Sequence, residues 1–220
     1  GDAGTLTFYG SAGSSNISLM DDTTPTAGEE AWDDVSGATA HAYGPTGLDT
    51  FFYQNSSMID GVTIGLDYIP SDGSDQIESS TAATIKYTGI DGLTIGAGMG
   101  EDNGEGPTDA DDVTAFNVTY AMDAISVGYS SYEVDSNASS SDTTLTAMGI
   151  SYAVSDDLSV SVNSAETQIE GSTDQEAFGV SASLVIGSMT LKANHNSVEN
   201  VGGTSGKDRS GYALGLSFAF

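Results

Sequence analysis

The residues able to do chemistry in this chain are almost all carboxylates. There are 32 Asp and Glu against 4 Lys and Arg, a formal net charge of -28. Near the amino end the acids fall in pairs: Asp21-Asp22, Glu29-Glu30 and Asp33-Asp34. Paired acids in a low-dielectric narrowing concentrate cations and repel anions. The same acids facing bulk water are a solvated surface with a screened field, suited to salty water or divalent cations. Both uses stay open at the level of composition. A surface of this sign repels phosphate and argues against nucleic acid as a partner. The acidic run from Glu101 to Asp112 offers oxygen ligands for Ca²⁺ or Mg²⁺. It lacks EF-hand spacing, and a solvated loop is the plainer reading.

Catalytic chemistry has little to work with. The chain has no cysteine, which removes disulfides, iron–sulfur clusters, thiolate zinc sites and thiol nucleophiles together. His41 and His195 are its two histidines, and neither sits in an HExxH motif or a serine-nucleophile elbow. Barrels that are phospholipases or proteases exist, so fold alone does not exclude a Ser–His pair. The expectation is nonetheless no catalytic residue, no cofactor and no enzyme. No basic start followed by an apolar stretch appears at Gly1, so no signal peptide is visible.

What must position these carboxylates is a set of strands. In Val62-Thr63-Ile64-Gly65-Leu66-Asp67-Tyr68 the apolar residues share one face and Thr63, Gly65 and Asp67 the other. That period of two is one a helix cannot satisfy. Met189 to Asn194 and Tyr212 to Phe220 repeat it, with small or polar residues as the alternate partners. Short connections, such as Met58-Ile59-Asp60-Gly61, Gly89-Ile90-Asp91-Gly92 and Ile186-Gly187-Ser188, alternate with long acidic ones rich in Gly and Ser. The long ones lie near Ser71 to Glu78, Glu101 to Asp111, Asp135 to Asp142, Ile169 to Asp174 and Glu199 to Asp208. Strict alternation of this kind marks an up-and-down antiparallel barrel. The pattern predicts about twelve strands, from Gly4–Gly10 through Val62–Ile69 and Met189–Ser197 to Arg209–Phe220. They have the roughly 9–11 residues that span a bilayer when tilted. With 38% hydrophobic residues, a mean hydropathy of -0.14 and no apolar run of about 18, a transmembrane helix is excluded. A wall with oil on one side and water on the other fits instead. No linker splits the chain, so the expectation is one domain over residues 1–220.

Two stretches carry a resemblance. The carboxyl end, Ser210-Gly-Tyr-Ala-Leu-Gly-Leu-Ser-Phe-Ala-Phe220, resembles the last strand of outer-membrane barrels. There Tyr212, Leu214, Leu216, Phe218 and the final Phe220 match the pattern read by the insertion machinery. Thr50 to Tyr68 is similar to the hairpin of Gram-negative general porins that follows their long third loop. Upstream, residues 11–47 form the longest non-periodic stretch of the chain, and loops of that length are usually functional. The resemblance implies an integral transmembrane β-barrel of the outer membrane, with the chain looking like strands 5–16 of a sixteen-stranded family barrel. It implies passive diffusion of small hydrophilic solutes and ions, and a homotrimer. It also implies contact with the lipid bilayer and lipopolysaccharide, and insertion by the barrel assembly machinery. Residues 11–47 would be the inward-folding constriction loop. One departure stands out: many porins carry a basic residue where this chain has Phe51-Phe52.

On that resemblance Glu29, Glu30, Asp33 and Asp34 become candidates for the pore constriction, with Asp21 and Asp22 nearer the start of the loop. They would favour cations. Lys86, Lys192 and Asp67 fall on the polar faces of their strands and are candidates for the lumen-facing wall. A lysine turned to hydrocarbon at mid-bilayer would cost about 2–4 kcal/mol. The two lysines could form a positive wall opposite the loop or merely neutralise neighbouring carboxylates. Lys207 and Arg209 are expected as salt-bridge partners among the loops, and Trp32 and Tyr43 as packing residues. Two rivals remain: a substrate-selective channel of the same fold, and a secreted acidic adhesin or surface-layer β-protein.

Overall fold

The computed structural model of the chain describes residues 2–10, 14–20, 23–39, 49–71, 78–103, 111–136 and 142–219. Asp21, Asp22, His41, Tyr43 and Phe220, singled out above, lie outside these residues, as do the middles of three of the acidic loops. The described residues form twelve strands: β1 Thr5–Tyr9, β2 Thr50–Ile59, β3 Val62–Ile69, β4 Ser80–Ile90, β5 Leu93–Asp102 and β6 Asp111–Met122. The second six are β7 Ile125–Ser136, β8 Thr143–Ala153, β9 Leu158–Ile169, β10 Gln175–Ile186, β11 Met189–Glu199 and β12 Arg209–Phe218. They make one antiparallel sheet whose strand order is the order of the chain. Two short 3₁₀ segments, Ser18–Met20 and Val201–Gly203, are the helical elements among the described residues. No helix there is long and apolar enough to cross a membrane.

Each strand follows from alternation closed by a turn. Asp60-Gly61 and Asp91-Gly92 end their hairpins with glycines at φ 71° and 72°, a left-handed conformation that side chains with a Cβ adopt reluctantly. At Gly61 a methyl group would also stand 2.6 Å from Gly89 Cα. Met58 and Ile59, expected in the turn, belong to β2 instead. The register shifts between Asn55 and Ile59, and Asn55 Oδ1 accepts from Ser57 N (2.8 Å) and Met58 N (3.0 Å). This local cap carries the strand through the irregularity.

Contacts group the chain into two compact units. One spans Gly1–Asp22, His41–Val118 and Ser131–Thr144; the other spans Thr23–Ala40, Thr119–Ser130 and Leu145–Phe220. In the first, Leu66, Tyr68, Ile85, Met99 and Phe116 stand exposed on one face of their strands. In the second, Val160, Val162, Phe178 and Val180 do the same, and Tyr212 and Leu214 on β12 reach 82% and 75% exposure. So broad an apolar face is not one a water-soluble protein leaves bare. A secreted β-protein would close it against a second sheet, and here it is open.

The opposite face carries segments of the long amino-terminal stretch, Ser14–Met20 in the first unit and Thr23–Thr39 in the second. It is less polar than alternation suggests. Ile69, Val113 and Ala115 are buried on it in the first unit, and Leu145, Ala147 and Val198 in the second. The loop supplies apolar partners of its own: Ile17 and Met20 in one unit, Ala31, Trp32 and Val35 in the other. The strand face is therefore partly a small dry core beneath the loop.

If the bare face meets hydrocarbon, Val162→Arg should destabilise the folded protein by about 2–4 kcal/mol at mid-bilayer depth. Ser159→Arg, on the other face of the same strand, should cost less than about 1 kcal/mol. Urea unfolding of the refolded protein in lipid vesicles distinguishes them; equal costs would mean that both faces meet the same solvent.

Candidate functional site

The first unit holds Ser14–Met20 by side chains that alternation places on the loop-bearing face. Asp67 on β3 is buried and accepts from Asn16 N at 2.6 Å and Asn16 Nδ2 at 2.8 Å. Gln54 on β2 donates to Asn16 Oδ1 at 2.7 Å, and Asn16 Nδ2 also reaches the Tyr53 carbonyl at 3.1 Å. Tyr132 on β7 donates its hydroxyl to the Met20 carbonyl. The backbone can approach this closely because Gly65, Gly96 and Gly98 lie beneath it. A methyl group at Gly65 would sit 2.4 Å from Asn16 Cγ, and one at Gly98 2.9 Å from Met20 Sδ. A glycine inside a strand commonly marks another backbone lying against it.

The second unit repeats the arrangement for Thr23–Thr39. Ser161 on β9 and Ser181 on β10 join at 2.6 Å, and Ser161 Oγ accepts from Ala27 N at 2.8 Å. Asn196 on β11 donates to the Glu30 and Asp33 carbonyls, both at 2.8 Å. Asn163 on β9 reaches the Glu29 carbonyl at 3.3 Å, and Asn194 donates to Asp34 Oδ2 at 3.0 Å. Gln175, buried at the start of β10, accepts from Thr39 N and from Gly202 N, which ties the end of the segment to the turn after β11. Gly128 and Gly149 make room for Pro25 and Thr24.

This bed sets out the carboxylates. Ligand oxygens of Glu29, Glu30 and Asp33 lie within 4.8 Å of one another. Glu29 is exposed, Glu30 buried and Asp33 between the two. Asp34, at φ 59°, is turned to Asn194. Trp32 is buried between the acids in sequence. Lys192 Nζ stands 4.0 Å from Glu29 Oε1 with both side chains about half exposed. Such a pair is worth under about 1 kcal/mol, whereas each net amide–carbonyl hydrogen bond gives about 0.5–1.5 kcal/mol. The asparagines, not the ion pair, hold the segment. The contact places Lys192 to neutralise a neighbouring carboxylate, one of the two roles open to it. Lys86 is exposed on the loop-bearing face, across from Thr63 and Gly96. Arg209, expected as a salt-bridge partner, donates from Nη1 to the Ser36 carbonyl. His195 lies on the bare face, its ring centroid 4.3 Å from that of Tyr212, away from the acids.

The bed itself went unread in the sequence. Its signals were present: asparagines at alternate strand positions, Asn194 and Asn196, where β-propensity disfavours them, and glycines at interior positions of the same face. Asp67, expected as part of the wall, lies on the loop-bearing face beneath Asn16, where it also anchors the loop.

A family model described as Gram-negative porin matches residues 1–220. No curated protein matches the chain. Among solved structures, a porin refined at 1.8 Å resolution superposes with a TM-score of 0.70 at 13% identity, covering 100% of this chain and 79% of its own. A mutant of the Rh. blastica porin gives 0.65 at 15% identity, covering 99% and 74%. The trimer form of in-vitro folded OmpT, an outer membrane protein of Vibrio cholerae, gives 0.57 at 12%, covering 98% and 75%. At these identities the likeness is one of fold: an all-β outer-membrane barrel.

Asp67→Ala removes the two acceptors of Asn16 and should loosen Ser14–Met20 at a cost of about 1–3 kcal/mol for the buried donors left behind. Limited proteolysis of the folded protein should then cut within residues 14–20, a site resistant in the parent. Unchanged resistance would show that the anchor is redundant.

Proposed function

Because the chain belongs to the Gram-negative porin family, a group of outer-membrane channels, we propose that residues 11–47 narrow its pore and that their carboxylates make it prefer cations. The observation that carries this is the convergence of Glu29, Glu30 and Asp33 within 4.8 Å on a segment laid along the strand face opposite the apolar one. Carboxylates gathered there make the local potential more negative, which attracts cations and repels anions. Asp34, turned to Asn194, contributes at the edge of the group, and Asp21 and Asp22 stand at the start of the same stretch. Lys192 tempers Glu29, and Lys86 and Asp67 belong to the wall. Small hydrophilic solutes and ions pass by diffusion, with no covalent step and no cofactor. Membership favours a channel over an enzyme, and His195, facing away from the carboxylates, supports that choice.

The working form in this reading is a homotrimer in the bacterial outer membrane, as the trimer form of OmpT suggests by analogy. Tyr212, Leu214, Leu216, Phe218 and Phe220 serve as the insertion signal for the barrel assembly machinery. Lipid and lipopolysaccharide surround the apolar face.

The test is the reversal potential of the complete protein in a planar bilayer under a salt gradient. A cation-selective sign is expected. The triple change Glu29→Gln, Glu30→Gln and Asp33→Asn should lower the cation-to-anion permeability ratio at least about threefold, while Lys192→Gln should raise it modestly. An anion-selective parent, or a triple variant with parental selectivity, would overturn the proposal.

A further inference from the structure

Asn163 on β9, Gly179 on β10 and Asn196 on β11 are direct cross-strand neighbours, one row across three strands. All three turn to the loop-bearing face, and the two asparagines are 3% and 1% exposed. Their amide nitrogens point up into the loop, Asn163 to the Glu29 carbonyl and Asn196 to those of Glu30 and Asp33. Their amide oxygens point down over the glycine. A methyl group on Gly179 would stand 2.6 Å from Asn196 Oδ1, 2.7 Å from Asn163 Oδ1 and 3.1 Å from Ala31 Cα. Neither oxygen accepts a hydrogen bond among the described residues. Both crowd the space that a side chain on Gly179 would need. The row is a saddle: two amides for its rims, a bare Cα for its seat, and Ala31 of the loop set into it.

The residues gripped are those that carry the converging carboxylates. Asp33 N donates to the Glu30 carbonyl at 3.1 Å, and Asn196 bonds both of those carbonyls, so one side chain spans the turn that brings Glu29, Glu30 and Asp33 together. Three like charges this close push apart. A neutral donor on a rigid strand holds the turn against that push without cancelling the charge, which a lysine in its place would do.

We infer that Asn163, Gly179 and Asn196 are positioning residues for ion selectivity, fixing the carboxylates without touching the permeating ion. The inference rests on the reading of residues 11–47 as the constriction. The experiment uses the complete protein in planar bilayers, with single-channel conductance and the cation-to-anion permeability ratio read together. Asn196→Ala removes two grips, Asn163→Ala one, and Gly179→Val fills the seat while leaving both amides in place. Each variant should raise conductance and lower the permeability ratio about twofold, with Asn196→Ala at least as strong as Asn163→Ala. A merely structural role would lower the folded yield and leave both readings at the parental value in the channels that form. The Glu29→Gln, Glu30→Gln, Asp33→Asn protein is the control. If it changes selectivity and the saddle variants change neither reading, the saddle inference fails and the constriction stands. If it leaves selectivity unchanged, the constriction reading fails, and the saddle falls with it. Failure of all three saddle variants to fold would also overturn the inference, since a positioning role leaves the strands standing.

Discussion

Hydrocarbon offers a backbone no hydrogen-bonding partner, so a chain that crosses it in strands commits its N–H and C=O groups to neighbouring strands. That commitment leaves side chains as the sole means of telling one face from the other. The alternation in this chain is the result: large apolar residues exposed on one face of most strands from Leu66 to Leu214, and on the other a mixture of small, polar and a few apolar residues. All that is particular to this protein is written on the second face, because the first has only to be greasy.

How that face holds a long segment is a matter of fit before it is one of charge. Strand glycines lower the surface where the loop crosses, as at Gly65, Gly149 and Gly179, and amide and hydroxyl groups beside them meet loop backbone atoms. The loop has little secondary structure of its own, a single 3₁₀ turn among its described residues. Its peptide groups would be costly to bury against a smooth apolar wall. Asp67, Ser161, Gln175 and Asn196 supply partners from fixed points on the strands, while Ile17, Ala31, Trp32 and Val35 bury apolar surface between them. Packing and hydrogen bonding thus work over the same span.

Strand positions were legible in the sequence because period two is a local property. Val62–Ile69 comes out as read, and most other strands differ by one or two residues at an end, as Met189–Glu199 does from Met189–Ser197. The carboxylate group was legible as a cluster of types, but its geometry was not. Which of Glu29, Glu30, Asp33 and Asp34 meet is fixed by contacts more than a hundred residues away in sequence, such as Asn196 with Glu30. Asp67 shows the same limit. Alternation gives its face, while its role as the partner of Asn16 depends on what lies across from it. The apolar residues Ile69, Val113 and Leu145 on the loop-bearing face break the simple two-solvent rule, since a covered patch of that face meets neither solvent.

The amides that grip the loop carry no charge, and this separates two properties that an ionic clamp would couple. Concentrated brine shrinks the Debye length to about 3 Å at 1 M, and in the proposed constriction it would blunt the attraction of Glu29, Glu30 and Asp33 for a passing ion. It would leave the bonds from Asn163 and Asn196 nearly untouched. On that proposal, a change of salinity alters how choosy the opening is while its aperture stays the same.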